Sequence, residues 1–313
     1  MVSVRIRDIS PRLAFQARPV PTACKIELIE RLIDVGVPAI EVTSFVHPDL
    51  VPGLADAEEV FRRLPRPAGV SFEACVANAT GLRRAIDAGA HTAWFLLSAD
   101  EDFSLMNTGR SIEQSLALLD DLQAIADGTD TRLGSYVIAA FGGPLGTART
   151  PQDIQPLLDR LTTLGIHDWI LADSCGYAAP RQITTMIEHI APQAGGAQNL
   201  TVQIHDSRGM GIACIAELAR LGVGTLDCSL AGSGAHPAAP QARVGGVCTE
   251  DAVQLLHLTG IRTGIDLPAL IDTANWLATQ LGATPTGYVR HTGPVPTRDL
   301  QAPSALPQSW HPG

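Results

Sequence analysis

Five residues are of kinds that move protons or hold an anion, and each stands at the end of a short apolar run or in the loop that follows one: Arg12, Glu41, Asp173, His205 and His236. An arginine stabilises a developing oxyanion, and a histidine titrates near neutrality. A carboxylate can orient either one or accept a proton itself. Thr43, Ser44, Asn78, Ser174 and Asp206 lie at comparable ends, and His236 sits in the loop Ala231-Gly232-Ser233-Gly234-Ala235-His236-Pro237. Each has a plainer reading. Arg12 and Glu41 suit a structural ion pair, Asp173 the cap of a following helix, and His205 a satisfied core histidine. Convergence on one rim is what favours chemistry, because a purely structural fold has no need of several ionisable groups there.

The elements that must position these residues alternate from end to end. Val/Ile/Leu-rich runs at 4–9, 39–43, 71–76, 92–97, 132–140, 168–172, 200–204 and 225–229 read as strands. Amphipathic stretches at 22–34, 79–88, 111–126, 151–164, 180–189, 211–221 and 250–258 read as the intervening helices. Thr22, Ser111 with Gln114, and Thr150 before Pro151 supply start signals, while Gly36, Gly89, Gly165 and Gly222 supply stops. Eight strand–helix units of about 30–35 residues fit an α/β fold, the (β/α)8 TIM barrel, whose active sites form at the C-terminal strand ends. A doubly wound sheet would require a glycine fingerprint after its first strand, where Ser10-Pro11-Arg12 stands. The barrel domain is expected over 1–283, with an extra helix at 267–281, and 284–313 as an irregular Pro/Gly-rich tail.

Composition removes several classes of function. With 45 % hydrophobic and 17 % charged residues the chain is globular rather than disordered. A net charge of −10 argues against nucleic acid as a partner. The six cysteines (24, 75, 175, 214, 228 and 248) form no CxxC pair and read as reduced thiols. With no signal peptide or membrane span evident, the expectation is a cytoplasmic protein and no membrane partner. Cys175, two residues after Asp173, reads as a small buried thiol filling a turn, with a nucleophile as the alternative. Trp94, Trp169, Trp276 and Phe141 read as packing, and apolar outer helix faces are compatible with a homodimer.

Taken together, Pro11-Arg12, Ile40-Glu41-Val42-Thr43-Ser44-Phe45-Val46, Asp173 before Gly176, His205-Asp206, the Ala-Gly-x-Gly loop and Thr249-Glu250-Asp251 resemble the hydroxymethylglutaryl-CoA lyases. These belong to the DRE-type TIM-barrel metallolyases, and the likeness runs in order over about residues 4–281. It implies cleavage of a 3-hydroxy-3-methylacyl thioester by a retro-Claisen route. It also implies a divalent cation held by an Asp after the strand-one Arg, a His-x-His pair on strand seven and an Asn after strand eight. The matching positions here are Leu13, Gln203, His205 and Gly246, of which only His205 keeps its ligand. The family's arginine, glutamate and aspartate fall on Arg12, Glu41 and Asp173, and its active-site cysteine on His236. Asn107 lies near a family asparagine, and Gln16, Ser44, Gln203 and Ser233 are further candidate substrate contacts.

One imidazole does not hold a hard cation, which relies on several oxygen ligands. The expectation is therefore a metal-free site with no cofactor, the alternative being Zn²⁺ or Fe²⁺ on His205, His236 and the Gln203 amide. Without a Lewis acid, Arg12 and a protonated His205 would stabilise the enolate, and His236 would transfer the proton with Asp173 or Glu41 as orienter or base. The reading is a carbon–carbon lyase on a small acyl substrate bound to CoA or a carrier protein, with specialised biosynthesis as a setting. A condensing aldol or Claisen synthase, other enolate chemistry such as decarboxylation, and a catalytically silent binding barrel are the alternatives.

Overall fold

The computed structural model describes residues 2–16, 19–146, 148–234, 245–282 and 286–296. Eight parallel strands close into a barrel in chain order. They are β1 (Arg5–Asp8), β2 (Ala39–Phe45), β3 (Ser71–Val76), β4 (Thr92–Ser98), β5 (Arg132–Ile138), β6 (Trp169–Asp173), β7 (Thr201–Ile204) and β8 (Thr225–Cys228). The first helices are α1 (Ser10–Gln16), α2 (Thr22–Asp34), α3 (Ala57–Arg63), α4 (Ala79–Asp87), α5 (Glu101–Thr108) and α6 (Ile112–Ala126). They are followed by α7 (Pro151–Thr163), α8 (Pro180–Ile190), α9 (Gly211–Arg220), α10 (Thr249–Leu258), α11 (Leu267–Leu281) and α12 (Val289–Thr292). Among the described residues, no helix is long and apolar enough to cross a membrane.

All eight expected strands and all eight expected helices are present, with small shifts at their ends. Ser111 and Thr150 close capping boxes with Gln114 and Asp153. The four stop glycines adopt positive φ, at 91, 73, 78 and 79° for Gly36, Gly89, Gly165 and Gly222. Thr22 is the first residue of α2, and its hydroxyl donates to Asp56 Oδ2 at 2.6 Å. The same carboxylate group ion-pairs with Lys25, whose Nζ also donates to the Gly53 carbonyl at 2.6 Å, tying α2 to the segment after β2.

α1, α3 and α5 were not expected. At seven or eight residues each, they are too short for a 3.6-residue pattern to emerge. Pro11 fits the first turn of α1, where its missing N–H has no intrahelical acceptor. The expected irregular tail is ordered at 286–296. The Asp251 carboxylate accepts the backbone N–H groups of Tyr288 and Val289, which fixes the start of α12 against α10.

Two cores follow from strand alternation. One face of each strand packs against the helices in a continuous apolar layer that includes Ile6, Ile40, Phe72, Phe95 and Leu226. The opposite face points into the barrel, where Cys75, Trp94, Tyr136, Ile138, Ile170 and Ala172 form a second cluster. Gly134 makes room for the Trp94 indole, since a Cβ there would stand 2.4 Å from the ring.

Candidate active site

Below the mouth, the barrel interior holds a buried charged network beside its apolar cluster. Arg7 of β1 is fully buried and faces three carboxylates. It ion-pairs with Glu41 of β2, with Glu73 of β3 at 2.6 Å and with Asp227 of β8 at 2.5 Å. Register explains the set, because Arg7 pairs with Asp227 across β1/β8 and Glu41 pairs with Glu73 across β2/β3. Tyr136 donates to Glu41 at 2.6 Å and Trp94 Nε1 to Glu73 at 2.7 Å. The sequence reading missed this network, and it took Trp94 only as packing. Strand alternation puts Arg7 on the face opposite Ile6, but it puts exposed Arg5 there too, so it does not single out the buried residue.

Arg12 joins the network from above. Its Nε donates to the second oxygen of Glu41, and Nη1 reaches Gln16 at 3.4 Å. Burial alone would raise the Glu41 carboxyl, but Arg12 and Arg7 outweigh it and hold the group at about 2. A carboxylate held that low is a poor base. The expected Arg12–Glu41 ion pair is therefore present, and it is also what fixes the guanidinium at the mouth.

Two arginines face three carboxylates, so the set is neutral only if one carboxylate keeps its proton. Burial pushes Asp227 up to about 7, with Arg7 opposing and Glu41 and Glu73 reinforcing the rise. An aspartate in the unfolded chain titrates near 3.9, so the native state holds an extra proton between about pH 4 and 7. Stability from this group therefore declines as pH rises through that window, and the loss is complete above it. Asp227→Asn mimics the protonated form. Its melting temperature should gain on that of the wild type between pH 5 and pH 8; a gap that stays constant with pH would contradict the assignment.

Above the network opens a cavity of about 370 Å³. Arg12, Leu13, Gln16, Ser44, Asn107, Gln203, His205, Tyr136 and Arg110 line it, with no aspartate or glutamate lining it among the described residues. The structure thus brings together Arg12, His205 and four of the five candidate substrate contacts, with Glu41 one shell behind. Asp173 does not line the cavity. Its carboxylate accepts the N–H groups of Tyr177 at 2.8 Å and Ala178 at 3.1 Å, and burial raises it to about 6. Its backbone oxygen contacts His205 Nδ1 at 2.9 Å, which makes Nδ1 the protonated nitrogen of a neutral ring. Ser233 is also off the cavity, where its Oγ meets Ser229 Oγ at 2.9 Å. His236 lies outside the described residues. Cys175 is buried in the turn after β6, and burial raises its thiol to about 11, against the nucleophile alternative.

The protonated His205 expected from sequence is corrected. Burial lowers the imidazole to about 4, so it is neutral at pH 7. The positions that matched the family's metal ligands share one cavity: Leu13, Gln203 and His205 line it, and Gly246 forms a β-bridge with His205. Leu13 is buried against Gly234, whose φ of 97° brings its backbone close over the leucine. This donor set, one imidazole and one amide with an aliphatic side chain beside them, does not fit a hard divalent cation. Among the described residues, no group of three or more His, Cys, Asp or Glu side chains is arranged to hold a metal ion.

Comparison with known proteins agrees with this frame. The HMGL-like family profile matches residues 3–277. The hydroxymethylglutaryl-CoA lyase YngG of Bacillus subtilis is 31 % identical over 300 residues, covering 95 % of this chain and 96 % of that protein. The (R)-citramalyl-CoA lyase of Chloroflexus aurantiacus is 32 % identical over 307 residues, covering 94 % and 96 %. Among solved structures, an HMG-CoA lyase from A. baumannii in complex with coenzyme A and 3-methylmalate superposes with a TM-score of 0.89 at 31 % identity, covering 97 % of this chain and 98 % of that one. Likeness at this level across nearly the whole chain, on a barrel whose charged mouth has just been described, makes this protein a member of the HMGL-like family and a carbon–carbon lyase.

Proposed function

We propose that this lyase cleaves the bond between the α and β carbons of a 3-hydroxyacyl thioester, in a retro-aldol or retro-Claisen sense, with no divalent cation at the reacting centre. The observation that carries the reading is Arg12, held by buried Glu41 at the edge of a cavity that, among the described residues, no carboxylate lines. Relatives named for hydroxymethylglutaryl-CoA and citramalyl-CoA support a CoA thioester as the substrate class. A substituted metal centre suits a specialised biosynthetic setting.

In the reaction the β-hydroxyl proton leaves and the β carbon becomes a carbonyl. The C–C bonding pair passes to the α carbon as an enolate, and that carbon then receives a proton. Arg12 stabilises the enolate oxygen, and the fixed guanidinium needs no reorganisation as the charge forms. Leu13 makes one wall of the site apolar, which strengthens Arg12's effect on that charge. The Nδ1–H of His205 is used by the Asp173 carbonyl, so Nε2 is the nitrogen that accepts a hydrogen bond or the hydroxyl proton. Tyr136 stays protonated, because burial raises its pKa well above the ordinary value, and it holds Glu41 in place. His236 is the proposed donor to carbon, since its unperturbed pKa lies near neutrality.

After exhaustive dialysis against EDTA, kcat/KM for hydroxymethylglutaryl-CoA or citramalyl-CoA should stay within about twofold of the untreated value and should not rise with Mg²⁺ or Mn²⁺. Activity lost to chelator and restored by one cation would contradict the metal-free centre. Failure to cleave any 3-hydroxyacyl thioester would contradict the substrate class.

A further inference from the structure

Arg110 stands in the turn between α5 and α6 and lines the same cavity as Arg12. Its Nη2 donates to the Ala77 carbonyl, at the end of β3, at 2.7 Å. Its Nε is shut away from water with no hydrogen-bond partner. Four other arginines of the barrel give a direct contrast: Arg7, Arg12, Arg84 and Arg149 are buried or half-buried, and each holds a carboxylate. Arg110 holds none among the described residues, and burial lowers its pKa with nothing opposing. A partly desolvated guanidinium costs free energy unless an anion meets it. The protein as a whole, at −10, repels anions, so a local cation is needed to draw one in.

We infer that Arg110 binds the permanently charged end of the ligand, an oxyanion supplied either as a carboxylate of the acyl group or as a phosphate of its carrier. The two cavity arginines then divide the work. Arg12, neutralised by Glu41 and placed after β1, serves the charge that forms during reaction. Arg110, uncompensated and tethered two strands away at β3, reads a charge already present before reaction. An arginine fork suits either oxyanion, because it offers parallel N–H donors to two oxygens. The identity of the ligand rests on the thioester reading; the existence of the anion site does not.

Arg110→Gln should raise KM for hydroxymethylglutaryl-CoA about 10- to 100-fold with kcat changed by less than about threefold, as expected for loss of a charge-assisted hydrogen bond in ground-state binding. Arg110→Lys should recover part of the loss. If the carboxylate is the anion, the penalty disappears with a 3-hydroxyacyl-CoA lacking a terminal carboxylate and persists with the pantetheine thioester. If a phosphate is the anion, the pattern reverses. An unchanged KM for Arg110→Gln with every thioester that the wild type cleaves overturns the inference and leaves the function reading standing. Should the wild type cleave no thioester, calorimetric titration with glutarate and with pyrophosphate decides independently. Binding to the wild type that Arg110→Gln abolishes upholds the anion site although the thioester reading has failed. No binding to the wild type, or equal binding to both proteins, overturns it.

Discussion

Arg12→Ala should lose about 1000-fold or more in kcat/KM while the protein still folds, because the enolate charge loses the cavity's pre-set guanidinium. The fold survives for a specific reason. Glu41, though fully buried, keeps Arg7 and the Tyr136 hydroxyl after Arg12 is gone, so no buried charge is stranded. Arg12→Lys should recover little, since an ammonium supplies the charge without the fork that meets Glu41 and the substrate together. Steady-state turnover alongside thermal melting checks both halves. Wild-type turnover from Arg12→Ala would remove the central element of the mechanism.

Arg7→Met should do the opposite, damaging the fold before the chemistry. The substitution leaves Glu41, Glu73 and Asp227 inside the barrel with Arg12 as the one remaining cation of the network. Breaking a buried ion network from one side costs about 3–5 kcal/mol, a large part of the ~5–15 kcal/mol that holds a folded domain together. Denaturant unfolding should show the loss. Adding Glu73→Gln and Asp227→Asn to Arg7→Met should restore much of it, because the stranded charges are then gone. An Arg7→Met protein that unfolds at the wild-type midpoint would mean that the network carries no structural weight.

The barrel and the outer half of the site were readable from the chain because both rest on local pattern. Strand periodicity, capping boxes and stop glycines fixed the eight units, and the rule that barrel sites gather at strand ends selected Arg12, Glu41 and His205. The inner half was not readable. Arg7 lies in Arg5-Ile6-Arg7-Asp8, where one arginine is exposed and the other fully buried, and nothing local separates them. Charged residues are rarely buried, so nothing in the sequence singles out Arg7, Glu73 and Asp227 as interior groups. Only closure of the barrel brings strands 1, 2, 3 and 8 near enough for one guanidinium to meet three carboxylates. The charge state of His205 was misjudged for a related reason, since burial is a property of the assembled barrel. Arg110 escaped notice because it belongs to no apolar run and ends no strand.

Lys25 is the single lysine in the chain, and it is buried with its amine committed to the Gly53 carbonyl and to Asp56. Thioesters are activated acyl groups that transfer readily to accessible amines. A protein that handles them with no other lysine than this one presents no exposed lysine amine to be acylated by its own substrate. The same feature governs handling at the bench. Succinimidyl dyes, amine-directed crosslinkers and lysine-based surface coupling find no exposed lysine on this protein, and with five of its six cysteines buried, surface carboxylates are the better handles.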